Sequence, residues 1–304
     1  MTTRAPHLQL DGRGPVLLDG GMSTALEERG HDLSDSLWTA RLLRDAPEEV
    51  AAVHRTYFES GARVATTATY QASVEGFVEA GMEPTEAERL IRLGVRLARD
   101  ARDACSGDGT LRWVAASVGP YGAVLADGSE YRGSYGISRA ALREFHLPRL
   151  ELLASAEPDF FAVETIPDVR EAEVLAPLLA ELGVPAWFSF SCDGPLTRAG
   201  QPLVEAFAVA ASAGRVFAVG VNCCAPADVL PAVEMAARVA HRPVVAYPNG
   251  GADWDAISHR WSSGPSFEPG AAAAWVEAGA EYVGGCCQVG PRDIAALSAA
   301  LARL

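Results

Sequence analysis

The sequence predicts a (β/α)8 barrel, because short apolar, strand-like runs alternate eight times with stretches of helical spacing. Several helical stretches end in a Gly-containing turn just before the next apolar run, as a helix C-terminus prefers. This alternation favours a parallel sheet with right-handed crossovers. An open doubly wound sheet is the alternative, but the Gly-x-Gly-x-x-Gly phosphate loop is missing after the first predicted strand.

Eight segments have the composition of buried strands. They are rich in Val, Ile, Phe and Trp, which favour extended structure. The predicted strands are Val16–Gly20, Val64–Tyr70, Trp113–Val118, Phe160–Ile166, Ala186–Cys192, Phe217–Cys223, Pro243–Asn249 and Glu281–Cys287.

Eight further segments have helical spacing. The segment from Pro47 to Ser60 opens with Pro and two Glu, as helix N-termini prefer, and stops before a glycine. The other predicted helices are Pro84–Ala104, Ser138–Ala154, Asp168–Leu182, Pro202–Ala213, Pro226–Ala240, Glu268–Ala278 and Pro291–Leu304. Because no composition break or linker divides the chain, we predict one domain spanning residues 1–304.

The composition is that of an acidic globular protein. Hydrophobic residues make up 49% and charged residues 21%, and the net charge of -14 argues against nucleic-acid or anionic-membrane partners. The sequence lacks the roughly 20 uninterrupted apolar residues of a membrane span and the apolar run of a secretory signal. We therefore expect a cytoplasmic protein, of an oligomeric state that the sequence does not indicate.

Four of the six cysteines form two adjacent pairs, Cys223-Cys224 and Cys286-Cys287, at the ends of the sixth and eighth predicted strands. Vicinal cysteines cannot easily bridge each other, and a reducing cytoplasm disfavours disulfides, so we expect metal ligation or redox chemistry. In a barrel these strand ends lie about 10 Å apart. Three thiolates from them could hold zinc with a fourth position open, and the two preceding glycines would let consecutive cysteines reach it.

Glu164 is a lone carboxylate in an apolar predicted strand, which favours a functional role because a buried carboxylate needs a cation or hydrogen-bond donors. Asp19 begins an Asp-Gly dipeptide and could be a turn residue. Cys105 and Cys192 are interpreted as small core residues. No histidine lies at a predicted strand end, which argues against a His-ligated metal site or a Ser–His–Asp hydrolase.

Considered together, motifs along essentially the whole chain resemble those of the homocysteine S-methyltransferase family. The matching motifs are Leu18-Asp-Gly-Gly21, Thr66-Thr-Ala-Thr-Tyr-Gln71, Ser117-Val-Gly-Pro-Tyr-Gly122, Leu125-Ala-Asp-Gly-Ser-Glu-Tyr131, Glu164-Thr-Ile-Pro167, Gly220-Val-Asn-Cys223, Tyr247-Pro-Asn249 and Gly284-Gly-Cys-Cys287. Each motif is weak alone, but their order and spacing are specific.

The resemblance implies a zinc-containing (β/α)8 barrel that acts on small molecules and methylates homocysteine to methionine. It assigns the metal to Cys223, Cys286 and Cys287, whereas the residues alone do not separate Cys223 from Cys224. It also implies that Asp19 and Glu164 hold the amino group of homocysteine.

By the same resemblance, Trp38, Tyr70, Tyr247 and Asn249 would border the acceptor and donor pocket. The rings of Trp38, Tyr70 or Tyr121 could add cation–π contact to a cationic donor. Taken alone, the tyrosines are uninformative, since each could equally be a core or rim aromatic.

The segment Leu125–Tyr131 resembles the branch of the family that uses S-methylmethionine or S-adenosylmethionine. The chain departs from the family pattern after Asn249, where it reads Gly-Gly-Ala-Asp-Trp254, and at Cys224. Three alternatives remain open. They are a methyltransferase that uses betaine or another donor, or a selenol acceptor; a non-catalytic zinc protein closed by Cys224 or Cys192; and a redox switch.

Overall fold

Eight parallel strands form the centre of the fold. The structure, a computed structural model, describes residues 14–34, 37–251, 254–255, 260–261 and 267–304. The strands are β1 Val16–Leu17, β2 Val64–Thr66, β3 Trp113–Val118, β4 Phe160–Ile166, β5 Ala186–Phe190, β6 Val216–Asn222, β7 Val244–Tyr247 and β8 Ala280–Val283.

Each strand pairs in parallel with the next one along the chain from β2 to β8, and β8 pairs with β1. A parallel bridge between Leu18 and Val64 joins β1 to β2, so the sheet closes on itself. The prediction of a (β/α)8 barrel is confirmed. That residues 1–304 form one domain remains a prediction.

Helices surround the strands. They are α1 Met22–Glu28, α2 Thr39–Asp45, α3 Pro47–Glu59, α4 Val74–Glu79, α5 Pro84–Ala104, α6 Tyr121–Leu125, α7 Arg139–Ser155, α8 Val169–Leu182, α9 Leu203–Ser212, α10 Pro226–Ala240, α11 Ala272–Glu277 and α12 Pro291–Leu301. Within the described ranges, no helix is both long and apolar enough to cross a membrane.

The apolar core has two parts. A smaller cluster fills the barrel and includes Phe160, Trp187, Phe217 and Tyr282, whose rings stack edge-on or tilted against one another. The larger cluster lies between the sheet and the helices. Because the barrel interior is packed with side chains, open space for a ligand is confined to its ends.

Several predicted strands are longer than the observed ones at their C-terminal ends. Beyond the ends of β2 and β7 the backbone bonds elsewhere: Thr69 N–H donates to the Thr67 carbonyl (2.8 Å), and Asn249 N–H donates to the Cys224 carbonyl (2.9 Å). Four short helices, α1, α2, α4 and α6, were not predicted. They lie in loops that follow strands, and their few residues carry too little periodicity to be recognised.

Candidate active site

Three cysteine sulfurs meet at the C-terminal end of the barrel. The Sγ atoms of Cys223, Cys286 and Cys287 all lie within 4.8 Å of one another, and those of Cys223 and Cys287 are 3.9 Å apart. The structure pairs Cys223 and Cys286 as a disulfide, with Cα atoms 5.6 Å apart. These two residues follow different strands, so the restriction on adjacent cysteines does not apply to them, and neither adjacent pair is bridged.

The backbone selects Cys223 rather than Cys224 for this cluster. Cys223 follows β6 with φ at 48°, in the left-handed region that is strained for a residue other than glycine. Cys224 is fully buried on the other side of the chain, where its thiol contacts Cys192. The interpretation of Cys192 as a core residue is consistent with its burial.

Cys286 and Cys287 lie in a turn directly after β8. The turn is closed by a hydrogen bond from Val289 N–H to the Cys286 carbonyl (3.1 Å) and has Gln288 at φ 68°. The two preceding glycines are needed for close packing, and neither has a positive φ: a Cβ on Gly284 would lie 2.9 Å from the Asp19 carbonyl oxygen, and one on Gly285 would lie 2.3 Å from the Val289 side chain.

Asp19 lies just beyond the end of β1 and is 2% exposed. Its carboxylate accepts hydrogen bonds from Thr66 N–H (2.6 Å), Thr66 Oγ1 (3.0 Å) and the Tyr247 hydroxyl (2.6 Å). Burial raises its pKa to about 7, although these three donors act in the opposite direction. Asp19 therefore ties β1 to β2 and β7 and contributes negative charge beneath the barrel rim.

Glu164 lies in β4 and is 6% exposed. The Ser117 hydroxyl, on the neighbouring β3, donates a short hydrogen bond to it. Burial raises its pKa to about 8, and the charge of Asp19 adds to this increase. Two carboxylates with raised pKa values at one rim favour a cationic ligand, because a cation stabilises their ionised forms.

Asn222, the last residue of β6, holds the strained backbone next to Glu164. Its Oδ1 accepts from Thr165 N–H (2.7 Å) and from the Ser189 hydroxyl (2.7 Å), and its Nδ2 donates to Thr165 Oγ1 (2.7 Å). Thr165 has φ at 60°, a costly conformation for a β-branched residue. Asn222 therefore links the backbone of Glu164 to that of Cys223.

A cleft opens at this rim and encloses about 680 Å³, counting the part open to solvent. Seven of the predicted site residues line it: Trp38, Tyr70, Glu164, Cys223, Tyr247, Cys286 and Cys287. Its lining also contains residues that the sequence did not single out, among them Ser23, Thr67, Ser117 and Tyr131.

Three predicted site residues do not line this cleft. Asp19 lies behind Thr66 and Tyr247, which cover its carboxylate. Tyr121, the first residue of α6, packs edge-on against Tyr135 and against Phe145 of α7. Asn249 donates its N–H to the Cys224 carbonyl (2.9 Å). The segment 252–253, where the chain departs from the family pattern, lies outside the described residues.

Arg149 on α7 is a site residue that sequence reasoning missed. Its guanidinium is 4% exposed and donates to four backbone carbonyls: those of Ala72 (3.0 Å), Gly119 (2.8 Å), Thr69 (2.9 Å) and Tyr70. The cation therefore holds the loops after β2 and β3 together and fixes the backbone of Tyr70. Nothing in the sequence distinguishes this arginine from those on solvated helix faces.

The fold and this rim define the class of protein: a (β/α)8 barrel with a thiol cluster and buried carboxylates around one cleft. A family model described as homocysteine S-methyltransferase matches residues 16–301. The chain belongs to this family, as its motifs predict, and the prediction of an enzyme of the homocysteine S-methyltransferase class is confirmed.

Relatives from bacteria and plants match nearly the whole chain. The homocysteine S-methyltransferase of Escherichia coli strain K12 is 44% identical over 95% of this chain and 96% of its own. Homocysteine S-methyltransferase 4 of Zea mays is 43% identical over 95% of this chain and 90% of its own. The selenocysteine Se-methyltransferase of Brassica oleracea var. italica is 39% identical over 93% and 88%.

Among solved structures, the homocysteine methyltransferase MmuM from Escherichia coli is similar throughout. Its metallated form matches with a TM-score of 0.88 at 40% identity, covering 97% of this chain and 99% of MmuM. Its oxidized form matches with a TM-score of 0.87 at 41% identity, covering 96% and 97%.

Replacing Arg149 by Met is expected to lower the free energy of unfolding by about 3 kcal/mol or more, because the buried carbonyls lose charged donors. Urea denaturation measures this loss. Arg143→Met is the matched control: it lies on the same helix, its ion pair with Glu181 is exposed, and its removal should cost less than about 1 kcal/mol. Equal losses in the free energy of unfolding for the two variants would show that the Arg149 hydrogen bonds stabilise the fold no more than an exposed ion pair does.

Proposed function

We propose that this protein is a zinc-dependent enzyme that transfers a methyl group from a sulfonium donor to the thiolate of L-homocysteine, giving methionine. The observation that carries the proposal is the convergence of Cys223, Cys286 and Cys287 within 4.8 Å at the open end of the barrel. Membership of the homocysteine S-methyltransferase family supports the acceptor.

The cysteine cluster fits a zinc ion. Two ligands on a tetrahedral zinc with Zn–S bonds of about 2.3 Å lie about 3.8 Å apart, and the Sγ atoms of Cys223 and Cys287 are 3.9 Å apart. Cys286 must be reduced to join them, so we propose that the thiol form is the active one and that the enzyme works in a reducing compartment such as the cytoplasm. When bound, zinc would supply the positive charge that keeps the acceptor thiol ionised.

Among the described residues, the metal-ligand cluster contains three side chains and no fourth. Cys224 and Cys192, the candidates for closing a structural zinc site, contact each other instead. A site with one open position is the pattern of catalytic zinc, which favours the enzyme over the non-catalytic zinc protein. The similarity to a metallated form of MmuM supports a metal here.

Glu164 is the carboxylate that lines the cleft, and we propose that it binds the ammonium group of homocysteine. Asp19 lies behind it and strengthens the attraction through its charge, in place of the direct contact that the family resemblance implies. Trp38, Tyr70 and Tyr247 would enclose the acceptor and exclude water.

In the proposed reaction, the acceptor sulfur attacks the methyl carbon of the sulfonium while the bond from that carbon to the donor sulfur breaks. The electron pair of the broken bond stays on the donor sulfur, so a thiolate and a sulfonium become two neutral thioethers. No general base is needed once the thiol is ionised. Holding sulfur and methyl about 3–3.5 Å apart supplies much of the acceleration.

For the donor, we propose S-methylmethionine or S-adenosylmethionine, as the segment Leu125–Tyr131 indicates; Tyr131 of this segment lines the cleft. Betaine or another donor is the alternative, and the similarity to a selenocysteine Se-methyltransferase keeps a selenol acceptor under consideration. Parallel assays of methionine formation with S-methylmethionine, S-adenosylmethionine and betaine separate the donors.

The redox switch remains a second candidate function, because Cys223 and Cys286 are paired as a disulfide. It predicts that the protein cycles between thiol and disulfide without binding metal. Zinc analysis of protein purified under reducing conditions decides between the two: about one zinc per chain supports the methyltransferase, and metal-free protein supports the switch.

Cys286→Ser should remove bound zinc and lower turnover at least about a hundredfold, since a hydroxyl is a poor zinc ligand. Metal analysis and a methionine-formation assay on the same sample measure both. Cys105→Ser is the control, because Cys105 lies at the end of α5 and outside the cluster. Retention of zinc and full turnover in Cys286→Ser would refute its role as a ligand.

Glu164→Gln should weaken homocysteine binding about tenfold or more, because the amide loses the charge that pairs with the ammonium, while zinc content stays constant. Glu181→Gln, which changes an exposed carboxylate, is the control. An unchanged KM for homocysteine would remove Glu164 from the acceptor site.

The same carboxylates predict a pH dependence. Glu164 binds an ammonium, and Asp19 strengthens that attraction, only when each is ionised, and their pKa values are raised to about 8 and about 7. The affinity for L-methionine, the product, which has no thiol proton, should therefore fall as the pH is lowered through this range. Calorimetric titration at several pH values measures this affinity. In the Glu164→Gln variant, the change in affinity near pH 8 should be lost.

A further inference from the structure

The turn after β8, residues 285–289, carries two of the three clustered cysteines, and we call it the cysteine turn. Gln288, directly after Cys287, has φ at 68°, a costly conformation for a residue other than glycine. Such a conformation persists only where surrounding contacts determine it. The contacts that hold the cysteine turn therefore determine the position of the backbone that carries Cys286 and Cys287.

On one side, the loop after β7 holds the cysteine turn. Cys286 N–H donates to the Pro248 carbonyl (2.6 Å), and Gly250 N–H donates to the Cys287 carbonyl (2.7 Å). Both contacts join backbone atoms, so they do not depend on particular side chains. They involve neither the strained residue of the turn nor its last residue, which are held by other elements of the fold.

Thr24, on α1, holds the strained residue. Gln288 N–H donates to the Thr24 Oγ1 atom (2.8 Å). Gly21 leaves the space that this approach needs, because a Cβ at that position would lie 2.8 Å from Thr24 Oγ1 and 2.7 Å from the Cys286 carbonyl oxygen. The contact requires an oxygen on the side chain at position 24, so it is a property of this residue type and not of the backbone alone.

Tyr57, on α3, holds the last residue of the cysteine turn. Its side chain is fully buried, and its hydroxyl donates to the Gly21 carbonyl (2.8 Å), with the Val289 carbonyl at 3.3 Å. Gly21 N–H donates to the same Val289 carbonyl (3.0 Å). The Tyr57 hydroxyl therefore joins the residue before α1 to the end of the cysteine turn, in a place where a buried carbonyl without a donor would be costly.

We propose that Thr24 and Tyr57 are positioning residues of the metal centre. They fix the cysteine turn so that two consecutive sulfurs reach the sulfur of Cys223, although neither side chain belongs to the cysteine cluster itself. Ligands that are ordered when the protein folds need little further ordering when a metal binds, which raises the affinity for the metal. This inference rests on the proposed zinc-dependent function and adds to it the residues that hold the ligands in place.

The zinc affinity of the full-length, reduced protein, measured by competition with a chelator of known affinity, tests the inference. Thr24→Val keeps the shape of the side chain and removes its oxygen, and Tyr57→Phe removes only the hydroxyl. Each substitution should raise the dissociation constant for zinc about tenfold or more, as loss of the contacts that orient metal ligands typically does. Thr24→Ser keeps the oxygen and should keep the original affinity.

Tyr135→Phe is the matched control for the tyrosine. It also removes one hydroxyl, which donates to the Glu171 carboxylate on α8 (3.1 Å) and not to the cysteine turn. Its zinc affinity should equal that of the unsubstituted protein. An unchanged affinity in Thr24→Val or in Tyr57→Phe would contradict the inference for that residue. A loss in Tyr135→Phe as large as in Tyr57→Phe, or in Thr24→Ser as large as in Thr24→Val, would overturn it.

Amide hydrogen exchange of residues 285–290, followed by mass spectrometry on metal-free, reduced protein, separates this inference from the proposed function. Exchange should be faster in Thr24→Val and Tyr57→Phe than in Tyr135→Phe and Thr24→Ser. This difference in a protein that binds no zinc would contradict the proposed function alone. Zinc binding and methyl transfer in a protein whose exchange and zinc affinity are the same in all four variants would contradict the inference alone.

Discussion

The site depends on one constraint of the barrel: all eight strands run in the same direction and end at the same rim. Cys223 follows β6, and Cys286 and Cys287 follow β8, so sulfurs separated by 63 residues in the sequence become neighbours across β7. The hydrogen bonds from Cys223 N–H to the Tyr247 carbonyl and from Cys286 N–H to the Pro248 carbonyl fix both ends against β7. The closed sheet is therefore what brings these three thiols together.

The rim also concentrates charge. Asp19 and Glu164 are buried carboxylates whose pKa values are raised, and the thiol cluster would become anionic on binding the proposed metal. This environment disfavours further anions and favours cations. The proposed amino-acid acceptor, with its ammonium group, and the proposed sulfonium donor both match this environment. The negative net charge of the sequence, which argues against nucleic-acid partners, is therefore accompanied by negative charge at the site itself.

Buried polar contacts hold the rim in place, and two residues of the rim have strained backbone conformations. Thr165 and Cys223 both have positive φ angles, and Asn222 bonds to the first and precedes the second. Arg149 binds four carbonyls beneath Tyr70. Strain of this kind persists only where surrounding contacts determine the conformation, as they do here.

The sequence predicts the barrel well because apolar runs and helix-terminal signals repeat eight times, and β3 and β4 have the predicted bounds. It predicts the cysteine cluster because paired cysteines follow strands that a barrel brings together. It does not predict Arg149 or Asn222, since their roles arise from backbone atoms far away in the chain. It also does not separate Asp19, covered by Tyr247 and Thr66, from Glu164, which reaches the cleft. Only the packing distinguishes them.

X-ray absorption spectroscopy at the zinc edge, on reduced protein with and without homocysteine, distinguishes an open zinc site from a closed one. We expect three protein sulfurs at about 2.3 Å in the free enzyme and a fourth sulfur at a similar distance when homocysteine is added. Four sulfurs before homocysteine is added, or a coordination sphere that does not change after it, would rule out an open zinc site that binds the acceptor.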